Sequence, residues 1–182
     1  MAKVTDKDRG WKRLQALAQQ LASQDVHVKV GVLDDGRAGS EVRDGITNGE
    51  LAVMMEFGTR NAPARSWIGR TFDQKRAEVQ ADMQRLLGHL VDGKITIDKA
   101  LNVLGAKYSA EVKNTVTQGE QIPPPNAPST LARKEGKTHN RRDSKGRFVK
   151  GYGAALRYGV RTLIDTGRMV GSVTWAAFGG GK

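Results

Sequence analysis

The stretch EFGTRNAPARSWI, Glu56 to Ile68, decides how this chain is read, because it divides two helical patterns and holds no residue set that ordinarily does chemistry. It has no cysteine, no histidine and one carboxylate, Glu56. On its N-terminal side, NGELAVMMEF reads as a short helix that Thr47 or Asn48 would cap, since either side chain accepts from the free amides of a first turn. Gly58 ends that helix, because glycine reaches the left-handed backbone of a C-cap without a Cβ penalty. Phe57 is expected to pack under the turn that follows. Asn61-Ala62-Pro63 breaks the chain again, and Ser66 is placed to start a long central helix. Along it Trp67, Ile68, Phe72, Val79, Met83, Leu86, Leu87 and Leu90 largely share a face. The donor fork of Arg65 is expected to hold a carboxylate or carbonyl groups, with Glu56 one candidate partner.

Outward from this stretch, Asp8 to Ser23 carries Trp11, Leu14, Leu17, Ala18 and Leu21 at three- and four-residue steps, the pattern of an amphipathic helix. DVHVKVGVLDD then alternates from Val26 through Val28 and Val30 to Val32, which predicts a strand with one wet face before an Asp34-Asp35-Gly36 turn. The Gly-rich, charged GRAGSEVRDGI has no periodicity and reads as an exposed connection. Beyond the long helix, Ala100, Leu101, Leu104, Tyr108 and Val112 mark one side of another helix from Asp98, taken as its cap, to about Val116. The order predicts an α+β fold: a small antiparallel sheet packed against a long helix and a second helix, with an extended loop or hairpin arm. Residues 1–182 are expected to form one domain.

The arm is placed at residues 119–161. IPPPNAPST holds four of the five prolines, and Arg133 to Lys150 reads RKEGKTHNRRDSKGRFVK, basic and nearly without apolar residues. Such a segment does not build its own core, and it orders only by docking on something else. Arg133, Lys134, Arg141, Arg142, Lys145, Arg147 and Lys150 are its candidate contacts to DNA or a partner, with Phe148 the apolar anchor. Structure is expected to resume at LIDTGRMVGSVTWAAF, where Thr166 caps a single helical turn and SVTWAAF returns as a strand with Val173 and Trp175 on one face.

The formal net charge of +11 at pH 7 attracts polyanions, with nucleic acid first among them. The absence of cysteine removes disulfides, thiolate metal sites and cysteine nucleophiles together. No window reaches the ~20 apolar residues of a bilayer span, and MAKVTDKDRGW lacks the apolar core of a secretory signal. His27, His89 and His139 share no metal-ligand spacing. The Ser elbow GxSxG and the phosphate loop GxxxxGK[ST] are missing. No catalytic activity, metal or cofactor is expected.

Three phrases in order then become specific: VGVLDD; ELAVMMEFGTRNAPARSWI; and PPPNAPSTLARK followed at a distance by LIDTGRMVGSVTW. Together they resemble the tailed-phage virion-morphogenesis family of neck and tail-completion proteins, from about Val26 to Phe178. Glu56, Phe57, Gly58, Thr59, Pro63, Ala64 and Arg65 carry the first motif, and Leu163, Ile164, Asp165, Thr166 and Gly167 the second. The resemblance implies a non-enzymatic virion protein, made in the host cytoplasm, that forms a six- or twelvefold ring in the neck or at the head-proximal end of the tail. It further implies adjacent connector and tail proteins as neighbours and packaged DNA passing through the lumen. A tail terminator is the adjacent alternative, and a small basic nucleic-acid-binding protein is the alternative of a different class. EGKTHNRRDSKGRFVKGYGAALRYGVR departs from the family pattern, which passes quickly from Thr-Leu-x-Arg-Lys to Leu-Ile-Asp-Thr-Gly.

Overall fold

In a computed structural model, residues 9–23, 25–33, 41–43, 45–118, 122–135, 143–147, 161–164 and 167–179 are described. Their elements are α1 (Arg9–Ser23), β1 (His27–Val32), β2 (Glu41–Arg43), β3 (Ile46–Thr47), α2 (Asn48–Phe57), α3 (Ile68–Val91), α4 (Ile97–Thr117), α5 (Pro128–Glu135), α6 (Arg168–Gly171) and β4 (Val173–Phe178). The fold is α+β. Its main sheet has two antiparallel strands, β1 and β4, in the register Val32↔Val173, Val30↔Trp175 and Val28↔Ala177. Side chains alternate across a strand, so these six share a face. Val173 and Trp175 do fall on one side, as their spacing predicts.

That face rests on α4. Trp175 lies over Gly105, where an added Cβ would come within 2.2 Å of the indole, and its Nε1 donates to Asn102 Oδ1 at 3.3 Å. Gly105 is thus the gap that lets helix and strand approach. Although α3 is the longest helix, α4 occupies the centre. It buries Ile97, Ala100, Leu101, Gly105, Tyr108, Ser109, Val112 and Val116, whereas α3 buries Thr71, Asp82 and Leu86. Met83 and Leu87, assigned to the inner face of α3 from their spacing, are exposed, because in this half of α3 it is Asp82 and Leu86 that are buried. Thr96, not Asp98, caps α4: Thr96 Oγ1 accepts from Lys99 N at 3.3 Å, and Asp98 sits in the first turn.

A buried polar cluster joins the two helices. Asp82 accepts from Arg85 Nη2 at 2.7 Å, Lys107 Nζ at 2.5 Å and the Tyr108 hydroxyl at 2.9 Å. Lys107 also reaches Glu78 at 2.6 Å. The Lys107 bond first, then those from Tyr108 and Arg85, hold the Asp82 carboxyl below its usual range against the opposing effect of burial. Burial and the bond to Asp82 push the Tyr108 hydroxyl up to about 12.

Two expectations on loops need correction. Within GRAGSEVRDGI, β2 and β3 form a short antiparallel hairpin turning at Gly45, so this connection carries its own ladder. Residues 122–135 are no free arm either: Ile122 is in the core, and PSTLARKE forms α5, because the proline lies at the helix start where its missing N–H costs nothing. On α1 the apolar stripe is only partly covered, with Trp11 and Leu14 exposed. Arg13 ties that helix to α3 by donating from Nη2 to Leu90 O at 2.7 Å.

Candidate functional site

The residues singled out between Glu56 and Arg65 work on the backbone of other segments. Thr47 caps α2 in a reciprocal box: its Oγ1 accepts from Glu50 N at 3.1 Å, and Glu50 Oε2 accepts from Thr47 N at 2.8 Å. At the other end, Gly58 N donates to Met54 O at 2.9 Å with φ 78° and ψ 178°. This is not the left-handed helical conformation expected of a C-cap. It is an extended conformation at positive φ that is essentially confined to glycine. A Cβ there would lie 2.6 Å from Ala64 N.

The turn after Gly58 is closed by Thr59, whose amide donates to Ala62 O at 2.8 Å and whose Oγ1 accepts from Ala62 N at 3.1 Å. Arg65 N then returns to Met55 O at 2.7 Å, folding the loop back on α2. Phe57 does not pack under this turn; it is 77% exposed. The inner face of α2 is set by Leu51, Ala52 and Met55, and at 100° per residue Phe57 stands about 200° from Met55, beside Val53.

Glu56 caps α3 from a distance. Its Oε1 accepts from the Ser66 hydroxyl at 2.6 Å and Gly69 N at 3.0 Å, and its Oε2 from Trp67 N at 2.8 Å and Ile68 N at 3.0 Å. Burial is the largest single influence on the Glu56 carboxyl and opposes its charge. The bonds from Ser66, Ile68, Gly69 and Trp67 together outweigh it and hold the carboxyl below the usual range. So Glu56 is not the partner of Arg65, and Ser66 does not start α3. The need follows from where the helix opens: its N-cap is Trp67, a poor cap, with no acid in its first turn, so its free amides require an acceptor from elsewhere, and Ser66 beside it had masked that need in the sequence.

Arg65 meets carbonyl groups. Its Nε donates to Pro124 O at 2.9 Å and its Nη2 to Pro125 O at 3.3 Å. Lys134, assigned from the charge run to a DNA- or partner-facing role, is instead 6% exposed and donates from Nζ to Arg161 O at 2.6 Å and Thr162 O at 2.9 Å. The reason is local: α5 turns one side to the core, and the ammonium finds the carbonyls of an irregular segment that has no ladder to serve them. The two motifs therefore meet in space. Arg65 and Lys134 fasten the Pro-rich segment and residues 161–162 against α2 and α6, and Ile164, Met169 and Val170 join Ala52 and the fully buried Trp67 in the core.

Between these parts lies a cleft of about 500 Å³. Leu51 and Met55 of α2, Pro63, Leu163, Met169 and Val170 supply apolar wall; Arg65, Arg133, Lys134 and Arg168 supply cations; no carboxylate lines it among the described residues. Gly167 opens α6 with φ 76°. Of the other basic candidates, Lys145 and Arg147 are exposed on a turn closed by Asp143, which accepts from Lys145 N at 2.9 Å, Arg147 N at 3.0 Å and Arg147 Nε at 2.9 Å. Arg141, Arg142, Phe148, Lys150, Asp165, Thr166 and His139 lie outside the described residues.

Among the described residues, no group of three or more His, Asp or Glu side chains is arranged to hold a metal ion. In the same residues, no helix is long and apolar enough to cross a membrane. Comparison with protein-family models, curated proteins and solved structures finds no match.

Proposed function

We propose that this chain is a structural protein of a tailed-phage virion, forming a ring in the neck or at the head-proximal end of the tail, around the DNA channel and without catalytic activity. One observation carries the reading. The motif residues Glu56, Gly58 and Arg65 spend their bonding capacity on the chain's own backbone, while Phe57 and Val53 beside them stand 77% and 58% exposed. Trp11, Met83 and Leu87 add further exposed apolar surface. Apolar surface left open in this way marks interaction sites more often than chance. The net charge of +11 suits a wall facing packaged DNA, whose phosphates it would attract without reading sequence.

Native mass spectrometry and negative-stain electron microscopy of the purified, nuclease-treated chain test the reading. Closed rings, six- or twelvefold, are the expected result. A chain that stays monomeric at tens of micromolar, or that associates only when RNA or DNA is added, would overturn it in favour of a nucleic-acid-binding protein. Whether the ring sits at the neck or terminates the tail is decided by its position in a map of the intact particle.

A further inference from the structure

We propose that Phe57 of one copy seats in the cleft of the next, so that α2 serves as both plug and socket wall. The inference rests on the ring reading above and names its contact. α2 has two apolar faces. Leu51 and Met55 line the cleft, whereas Val53 and Phe57, one helical turn apart, point to the other side and stand largely exposed. An aromatic ring at this exposure offers more apolar area for burial than any other single side chain on the helix.

The charges agree with the same occupant. The described cleft lining bears cations and no carboxylate. α2 carries no cation, its carboxylate on the outer side is Glu50, and Phe57 lies at its C-terminal end, the negative pole of the helix. Glu50 is exposed on the same side as Val53 and Phe57, at the spacing i, i+3, i+7. A helix end entering the cleft with Phe57 foremost would bring apolar surface to the wall formed by Met55, Pro63 and Leu163, and the negative pole to the exposed Arg133. Because plug and socket are different patches, the contact is head to tail. It repeats from copy to copy and closes into a ring when the rotation permits.

The chain has no cysteine, so introduced thiols are unique. A Val53→Cys chain, which keeps Phe57 in place one turn away, and an Ala127→Cys chain, each assembled with an excess of parent and then with one another, are treated with a short bismaleimide. A covalent dimer containing one of each is expected, in clear excess over dimers of either variant alone. In parallel, Phe57→Ser should weaken assembly roughly 30-fold, the loss typical of a buried aromatic anchor. Val103→Ser, which removes an exposed apolar residue on α4, should leave assembly unchanged, and both variants should unfold at the parent's temperature. Rings that form at parental strength in Phe57→Ser, or that give no mixed dimer, would overturn the plug and leave the ring reading standing. A parent chain that never leaves the monomer overturns both.

Discussion

Replacing Glu56 by glutamine tests the remote cap, and the geometry fixes what is lost. Each carboxylate oxygen accepts two hydrogen bonds, Oε2 from Trp67 N and Ile68 N, Oε1 from the Ser66 hydroxyl and Gly69 N. A glutamine whose carbonyl keeps the Oε2 position still serves Trp67 and Ile68. Its amide nitrogen then faces Ser66, whose hydroxyl can rotate to accept, and Gly69 N, which cannot. One backbone N–H is left unpaired, at about 1–3 kcal/mol, and the attraction of a full charge for the helix N-terminus, about 0.3–1 kcal/mol, is removed. Because Glu56 is half-buried and water recovers part of this, the expected net loss is about 2–3 kcal/mol. For a chain of this size that corresponds to roughly 4–12 °C in Tm. Calorimetry at fixed protein concentration measures it. The sign with pH follows from the lowered carboxyl: the stabilisation is full above the ordinary glutamate range, near pH 4.3, and is lost as pH falls through the folded-state value. The gap between parent and Glu56→Gln should therefore narrow on going from pH 7 to about pH 3.5. A Tm within about 2 °C of the parent at pH 7, or a gap that widens in acid, would refute the cap.

Gly58→Val places a branched side chain at φ 78°, with its Cβ 2.6 Å from Ala64 N, and should cost about 3 kcal/mol or more in denaturant unfolding. Lys134→Met should cost about 2–4 kcal/mol by leaving the Arg161 and Thr162 carbonyls without the ammonium, while Arg133→Met, one residue away and exposed, should stay within about 0.5 kcal/mol of the parent. Equal losses in the two would contradict the assignment. Asp82→Asn should lower Tm at pH 7 and flatten the fall of stability below about pH 4, since a carboxylate held below its usual range gives stability that is present above that range and lost as pH drops through the folded value. A variant with an unchanged acid limb would show that Asp82 does not couple α3 to α4.

Periodic segments were legible. The β1 alternation, the capped start at Thr47 and the apolar side of α4 each follow from spacing alone, and the elements lie within a residue or two of where that spacing puts them. What spacing could not supply is which element covers which. The Met83 and Leu87 positions look identical to core positions in a one-dimensional pattern, yet there Asp82 and Leu86 are buried and these two are not. Phe57 misled for a related reason: its face on a ten-residue helix is decided by where Leu51 and Met55 find the core, and with Val53, Met54 and Phe57 also apolar, α2 has no clear polar side to point outward. Lys134 was hidden inside a charge run, where composition averages over a helix with one inward side. The pairing of β1 with β4 joins strands from opposite ends of the chain, a contact that no local signal encodes.

The string EFGTRNAPARSWI can now be explained without chemistry. Segments 59–67, 122–127 and 161–164 are irregular apart from the Thr59–Ala62 bridge, so most of their backbone groups have neither helix nor ladder to pair with, and leaving such a group unpaired where it is buried costs about 1–3 kcal/mol. In each segment a side chain from elsewhere supplies the missing partner: Glu56 takes the amides of Trp67, Ile68 and Gly69, Arg65 gives to the carbonyls of Pro124 and Pro125, and Lys134 gives to those of Arg161 and Thr162. Amides need an acceptor and carbonyls a donor; a carboxylate offers two acceptor oxygens and a guanidinium a fork of N–H donors, so one acid and one arginine meet both needs where an apolar pair would meet neither. Gly58 and Thr59 then set the turn that brings Arg65 back against α2, where its amide donates to Met55 O. With Glu56 and Arg65 bonded within the chain, Phe57 is the large apolar member of the string that stands exposed, which is why the proposed contact between copies is placed on it.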